Sequence, residues 1–194
     1  MNNPEYAKVN GKKYKINTDF RVALECNRIA EDQKIGDTER AMAIIYLLFG
    51  DEGLKDLETA GDKLLKIAVK YLTLDKGIEK AEEEPDMDFE QDMDYIETSF
   101  MSDYGIDLNQ EHMHWWKFYN LINGLSDSEL GNCCVLNRVR NLRRMDPSTI
   151  KDDKERQKVI DAQKKVALKK NQPSLTKEQE ESARQIYELA GLGR

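Results

Sequence analysis

The stretch from Tyr95 to Leu125, YIETSFMSDYGIDLNQEHMHWWKFYNLINGL, constrains the fold more than any other part of the chain. It contains both tryptophans and both histidines, so the largest aromatic side chains must find their packing partners here. Gly105 suits the left-handed position that ends a helix, and Asn109 suits the cap that begins another. The pattern therefore predicts two packed helices around an aromatic core, the second of them ending at Gly124.

Apolar residues at helical spacing support both of these helices. On the first helix they are Phe89, Met93, Ile96 and Phe100. On the second helix they are Trp115, Phe118, Tyr119 and Ile122.

The rest of the chain adds a hairpin and further helices. Asn10-Gly11 lies between short segments rich in Val, Tyr and Ile, which predicts a β-hairpin with strands at about 5–9 and 12–16. Two strands are not stable alone, so the hairpin must pack on helices or on another chain. The further helices are predicted from caps and apolar stripes: Thr18 to about Gln33, Asp37 or Thr38 to Gly50, a short turn over Gly53–Ala60, Asp62 to about Leu74, Ser126 or Ser128 to about Leu142, roughly 152–170, and one beginning at Thr176. The segment Ala41–Phe49 is apolar nearly all round, which predicts a buried helix.

The predicted fold class is mainly α. A helical core domain over residues 1–145 includes the N-terminal hairpin, and a charged helical extension covers 146–194. An acidic connector covers 76–94. Residues 75–111 contain 14 acidic residues and two lysines, whereas residues 138–170 contain 12 basic and five acidic residues. This polarity predicts solvated faces and linkers; the sharper alternative is head-to-tail attraction between copies, or a site for an oppositely charged partner.

Composition excludes several classes of function. The net charge of -7 argues against nucleic-acid binding by the whole protein, because phosphate binding needs a basic surface. The first ten residues are polar, and the longest apolar run is too short to span a bilayer. We therefore expect a protein of the cytoplasm with no membrane partner. Three cysteines without disulfide or metal spacing, Cys26, Cys133 and Cys134, are expected to be reduced thiols.

No motif predicts catalysis or metal binding. His112 and His114 are two residues apart, which on a helix turns the two rings about 200° from each other and so does not suit one metal ion. The acids of residues 86–97 are spaced like a calcium loop, but Gln91 stands where such a loop needs glycine. No glycine-rich phosphate loop and no activated nucleophile is evident. We expect no enzymatic activity, no metal, no cofactor and no small-molecule substrate.

Two groups of side chains are candidates for partner binding. One is a group of arginines near the end of a predicted helix: Arg138, Arg140, Arg143 and Arg144. They could contact phosphate, but cations at a helix C-terminus also stabilise the helix dipole. The other is an aromatic group: Trp115, Trp116 and Tyr119. These could anchor a protein partner because aromatic residues are enriched at binding hot spots, with core packing as the favoured alternative.

Several of these residues together resemble a protein family. They are Tyr95-Ile96, Ser99-Phe100, Tyr104-Gly105-Ile106-Asp107-Leu108, Met113-His114-Trp115-Trp116-Lys117-Phe118, Leu121 and Gly124-Leu125. The combination of YGIDL and MHWWKF resembles the "gene product fifteen" family of long-tailed bacteriophages (siphoviruses) and prophages of Gram-positive bacteria. The N-terminal hairpin, the early helices and the Arg138–Arg144 segment are similar to that family as well.

The resemblance implies a viral protein of the tail module, a tail assembly protein or chaperone. Such a protein would bind the tape-measure protein, the tail-tube protein or both, in the host bacterial cytoplasm before the tube polymerises. The family brings no catalytic residues. One alternative is a structural component retained in the virion tail. Another is a nucleic-acid-binding phage protein that uses Arg138–Arg144 and Lys164–Lys170.

Overall fold

A computed structural model describes residues 3–75, 85–127 and 133–169. These residues contain seven α-helices and a short N-terminal β-hairpin, which confirms the predicted fold class. The strands are β1 (Tyr6–Val9) and β2 (Lys12–Lys15). The helices are α1 (Phe20–Glu31), α2 (Asp37–Lys55), α3 (Leu57–Leu72), α4 (Met93–Tyr104), α5 (Trp115–Asn123), α6 (Val135–Arg144) and α7 (Asp153–Val166), with a 3₁₀ helix at Pro147–Thr149. None of the helices in these ranges is long and apolar enough to cross a membrane.

The described residues divide into two compact units. The first unit comprises the described parts of Met1–Glu83 and Phe89–Arg138, and the second comprises those of Glu84–Asp88 and Val139–Arg194. The predicted division into a core over residues 1–145 and an extension over 146–194 stays a prediction. The helix predicted to begin at Thr176 lies outside the described residues, as do residues 76–84 of the acidic connector.

The predicted hairpin is confirmed. β1 and β2 pair antiparallel with Val9 opposite Lys12, and the turn places Asn10 at φ 51° and Gly11 at φ 82°. Ala7, Val9 and Tyr14 are buried because the hairpin packs on α2 and α3. The Tyr14 hydroxyl also donates a hydrogen bond of 2.6 Å to the Asp56 carboxylate, at the junction of those two helices.

α1 begins one residue later than predicted, and its cap is Asp19 rather than Thr18. The Asp19 carboxylate accepts the Arg21 N–H at 2.9 Å, which satisfies one of the free donors of the first turn. Thr18 is part of an extended segment instead, and its carbonyl accepts the Trp115 N–H at 2.8 Å. The Phe20 N–H donates in return to the Met113 carbonyl at 2.9 Å, so the start of α1 is fixed to the start of α5.

The prediction that Ala41–Phe49 is buried all round was wrong on one side of α2. Met42 and Tyr46, one turn apart, keep 42% and 50% of their surface exposed. The predicted break at Gly50 is confirmed, because this glycine adopts φ 64° and ψ -159° inside α2. The chain then returns to helix for residues 51–55, where a short turn over Gly53–Ala60 was predicted.

α3 starts at Leu57, not at Asp62 as predicted. The residue before it is Asp56, whose backbone carbonyl accepts the Ala60 N–H at 2.8 Å. The Asp56 carboxylate does not cap the helix, because it bonds the hairpin through Lys12 and Tyr14. A tertiary contact therefore sets this boundary, and the capping signal at Asp62 lies inside the helix.

α4 begins at Met93 rather than Phe89, and its predicted end is confirmed. Gly105 is left-handed at φ 66°, and its N–H donates to the Met101 carbonyl at 3.1 Å. The next N–H, of Ile106, reaches back to the Phe100 carbonyl at 3.3 Å, which satisfies the last turn. Phe89 lies before the helix and packs its ring edge-on against Trp115, with the ring centroids 6.0 Å apart.

The predicted cap of α5 at Asn109 was wrong. The Asp107 carboxylate accepts the Asn109 N–H at 2.9 Å and so forms a local turn, and α5 starts only at Trp115. Its cap is His114, whose Nδ1 accepts the Trp116 N–H at 3.0 Å. The predicted end at Gly124 is confirmed.

The described part of α6 begins at Val135, and the predicted starts at Ser126 or Ser128 fall before it. Residues 128–132 lie outside the described residues. The predicted break at residues 146–148 is confirmed as the 3₁₀ turn, capped by the Asp146 carboxylate. α7 then begins after Asp152, whose carboxylate accepts the Glu155 N–H at 2.8 Å.

Candidate partner-binding site

The predicted aromatic core is present in the first unit, and Trp115 lies inside it. Only 1% of its surface is exposed, and its indole N–H donates to the Leu72 carbonyl at 3.1 Å. The Phe118 ring stacks on two other rings. Its centroid lies 4.3 Å from that of Phe20 and 5.3 Å from that of Phe100. Trp115 therefore joins α5 to the end of α3, and partner binding by Trp115 stays a prediction.

Trp116 and Tyr119 are half-buried and also support the first unit. The Trp116 indole N–H donates to the Tyr71 carbonyl at 2.9 Å, and its ring stacks on the Tyr71 ring at 6.2 Å. The Tyr119 ring meets Trp115 edge-on at 5.6 Å. Both tryptophans thus bond to carbonyls at the C-terminal end of α3. Partner binding by these aromatic residues stays a prediction.

The two histidines have different structural roles. The Nδ1 of His114 accepts a hydrogen bond from Trp116, so its Nε2 carries the proton and donates to the Pro4 carbonyl at 3.1 Å. His112 is exposed and places Nδ1 2.9 Å from the Asp19 carboxylate. Partial burial opposes ionisation of Asp19, but hydrogen bonds from His112 and Arg21 outweigh it and lower the pKa of the Asp19 carboxyl. Across the described ranges, no group of three or more His, Cys, Asp or Glu residues is placed to hold a metal ion.

Three of the four candidate arginines converge on Asp86 within the second unit. Arg140 and Arg144 both donate to the Asp86 carboxylate, Arg140 through Nε at 3.1 Å. Arg143 donates through one terminal N–H to the Asp86 carbonyl at 2.8 Å and through Nε to the Val166 carbonyl at 2.7 Å. These side chains therefore hold the described residues 85–88 and the end of α7 onto α6.

The fourth arginine, Arg138, belongs to the first unit and is exposed. It lines a shallow pocket of about 660 Å³ together with Cys133 and Cys134. Burial, together with a contact to Asp127, raises the pKa of the Cys133 thiol, which makes it a poor nucleophile at neutral pH. Phosphate binding by the four arginines stays a prediction, and three of them already have an internal partner.

Replacing Asp86 with asparagine should destabilise the protein at pH 7 by about 1–2 kcal/mol, because charge-assisted hydrogen bonds are lost from a carboxylate that is only 19% exposed. Burial tends to raise the pKa of this carboxyl, but the hydrogen bonds from Arg144 and Arg140 outweigh it and lower the pKa below its usual range. A depressed pKa gives stability that is present above the unfolded value, about 3.9, and is lost as pH falls through the lower folded value.

Urea unfolding of wild type and Asp86→Asn between pH 7 and pH 3 measures this effect. The difference in unfolding free energy should shrink below about pH 4. Asp153→Asn is the matched control, because Asp153 pairs with Arg156 at 2.6 Å but is 90% exposed, and it should change stability little. A difference that persists unchanged to pH 3 would contradict the assigned role of Asp86.

The first unit also contains an open groove that the sequence did not predict. It has a volume of about 740 Å³, and three segments line it: residues 15–19, residues 46–51 of α2, and residues 112–114. Ile16, Leu48, Phe49 and Met113 form its buried apolar floor. Lys15, Asp51 and His112 add polar groups to the lining.

The groove exists because of the backbone at Gly50. The positive φ there interrupts the helical geometry of α2 two residues after Leu48. The Leu48 carbonyl accepts the Asn17 N–H at 2.8 Å, which holds residues 15–19 alongside the helix. Tyr46 lines the groove, and Met42 lies one turn earlier on the same face of α2. Together they form an apolar ridge, defined here as Met42 and Tyr46, next to an apolar floor.

Comparison with known proteins identifies the class of protein. The family described as Bacteriophage Gp15 protein matches residues 3–168, which is most of the chain. The chain belongs to this family of bacteriophage proteins, as the resemblance of the Tyr95–Leu125 stretch predicted. No curated protein and no solved structure gives a significant match.

Proposed function

We propose that this phage protein is a tail assembly chaperone that binds the tape-measure protein through the groove of the first unit and the apolar ridge beside it. The observation that carries the proposal is the half exposure of Met42 and Tyr46 next to an open groove with an apolar floor. The family supports a phage role.

The chemistry of the ridge suits an amphipathic helix as the partner. Methionine adapts its shape to different apolar surfaces, and tyrosine is enriched at binding hot spots. A long tape-measure helix carries apolar faces that would aggregate before the tail tube covers them. An amphipathic helix that lies in the groove would bury its apolar side chains against Met42 and Tyr46.

The proposal describes a binding protein rather than an enzyme. Among the described titratable residues, the groups with the clearest hydrogen bonds hold helices and segments in place, as His114 and Asp86 do. We further propose that the protein acts in the host cytoplasm, with the tail-tube protein as a second partner. A chaperone of this kind leaves before assembly ends, so mass spectrometry of purified particles should not detect it. Its recovery from particles in stoichiometric amounts would favour a structural tail protein.

Charging the apolar ridge should weaken tape-measure binding. The double variant Met42→Lys/Tyr46→Lys is expected to weaken the affinity by at least about tenfold, because two buried apolar contacts become desolvated cations. Its stability should stay close to that of wild type, because both side chains are already half exposed. Co-expression followed by calorimetric titration of the purified proteins measures both quantities.

Val69→Lys is the control for a general effect of surface charge. Val69 lies on α3 with 38% of its surface exposed, and it does not line the groove. This variant should bind the tape-measure protein as wild type does. The proposal is wrong if wild type forms no complex with the tape-measure protein, or if Val69→Lys weakens binding as much as the double variant.

A further inference from the structure

The outward face of α7 carries a row of lysines. Lys154, Lys158 and Lys165 lie within about 40° of one another around the helix axis, at 100° per residue. All three are exposed, and none of them forms an ion pair within the described residues. The opposite face of α7 is held to the end of α6 by Gln163, whose amide donates to the Leu142 carbonyl at 2.9 Å. We call these three residues the lysine row.

Contacts inside the second unit do not neutralise the lysine row. Asp86 is bonded to arginines of α6. Asp161 lies on the same face of α7 as the row, but it pairs with Lys164 at 3.5 Å and accepts the Gln157 amide at 2.9 Å, so the face keeps an excess of positive charge. The row is therefore a positive surface that no described contact covers.

A surface of opposite charge exists on α4 in the first unit. This helix contains no lysine or arginine, and Asp94, Glu97 and Met101 lie within about 60° of one another around its axis. Asp94 and Met101 are exposed, and Glu97 is half-buried at the border of the buried face. Met101 is half exposed, and neither Asp94 nor Glu97 forms an ion pair within the described residues. We call Asp94, Glu97 and Met101 the acidic face.

We propose that the lysine row of one copy docks on the acidic face of a second copy. The two surfaces belong to different helices, so the contact is heterologous, and each copy that joins leaves one row and one face open for another copy. The lysine alkyl chains can lie along Met101 while their ammonium groups meet the two carboxylates. A polyanion such as DNA is disfavoured as the occupant, because the whole chain carries a net charge of -7. This inference does not depend on the proposed function.

The contact is between charges that solvent reaches, so salt must weaken it. Sedimentation velocity of the full chain over a wide concentration range tests this. At about 50 mM NaCl the sedimentation coefficient should rise with protein concentration, and at about 500 mM NaCl it should not, because the screening length falls well below 10 Å. The association constant is expected to fall by about tenfold or more between the two conditions.

Reversing the charges of each surface separately tests whether the lysine row and the acidic face form the contact. The variant Lys154→Glu/Lys158→Glu/Lys165→Glu reverses the row, and Asp94→Lys/Glu97→Lys reverses the face. Each variant alone should be monomeric at low salt, because its row and its face then carry the same sign. An equimolar mixture of the two should associate again, because each reversed surface meets its complement on the other variant. Restoration in the mixture also shows that both variants are folded.

A control variant has the same change in net charge as the variant that reverses the lysine row. Lys34→Glu/Lys66→Glu/Lys117→Glu reverses three exposed lysines of the first unit and should associate as wild type does at low salt. Wild type that stays monomeric at low salt overturns the proposal, and so does a mixture of the reversed variants that stays monomeric. A monomeric wild type that instead retards a DNA duplex overturns it in favour of nucleic-acid binding.

Discussion

Trp115→Ala is expected to lower the free energy of unfolding by about 3–5 kcal/mol, the usual range for removing a fully buried aromatic side chain. The indole fills the space between α5 and the end of α3, and three aromatic rings lie around it. The substitution leaves a cavity and also leaves the Leu72 carbonyl without its hydrogen bond. Urea unfolding followed by circular dichroism at 222 nm, a standard wavelength for helix content, gives this quantity.

Two further variants test the contribution of the Trp115 indole N–H and that of Trp116 to stability. Trp115→Phe keeps much of the packing but removes the indole N–H, so it should cost about 1–2 kcal/mol. Trp116→Ala should cost less than Trp115→Ala, because Trp116 is only half-buried. Normal stability of Trp115→Ala combined with loss of tape-measure binding would contradict the core role and make Trp115 an interface residue.

Gly50→Ala is expected to cost about 1–3 kcal/mol, because its φ of 64° and ψ of -159° fall in a region that is open essentially to glycine alone. A Cβ at this position would meet no atom within 4 Å, so the cost comes from the backbone and not from crowding. The variant should also weaken the proposed binding to the tape-measure protein, since the turn at Gly50 shapes the groove.

Gly61→Ala is the matched control. Gly61 lies inside α3, and a Cβ there would contact only the Leu57 side chain, at an ordinary 3.5 Å. Alanine favours helix over glycine, so this variant should be neutral or more stable by up to about 1 kcal/mol. Thermal unfolding of both variants gives the comparison. Equal stability of Gly50→Ala and wild type would show that the turn relaxes without cost.

The sequence predicts best those features that depend on a few neighbouring residues. The Asn10-Gly11 turn and the left-handed Gly105 were both correct, because each needs a positive φ that glycine or asparagine supplies at little cost. The predicted starts at Asn109 and Asp62 were wrong. In both places another aspartate decided the boundary, Asp107 by forming a local turn and Asp56 by bonding to the hairpin.

The sequence predicts the candidate site less completely than the fold. The apolar spacing predicts the aromatic core correctly, but it does not distinguish buried Trp115 from half-buried Trp116, because the two are adjacent in the chain. The groove was missed because an all-apolar segment predicts burial on every side, and the exposed edge at Met42 and Tyr46 depends on which elements pack against α2. The i, i+4 spacing of these two residues was the one available signal.

The contacts between residues 18–20 and 113–118 have a consequence for synthesis on the ribosome. Phe20 stacks on Phe118, and Thr18 and Phe20 exchange backbone hydrogen bonds with residues almost a hundred positions later. α2 can cover part of the buried face of α1 early, but the part around Phe20 that packs on α5 stays uncovered until α5 has left the exit tunnel. During that interval the nascent chain exposes the kind of apolar surface that we propose the finished protein covers on its partner.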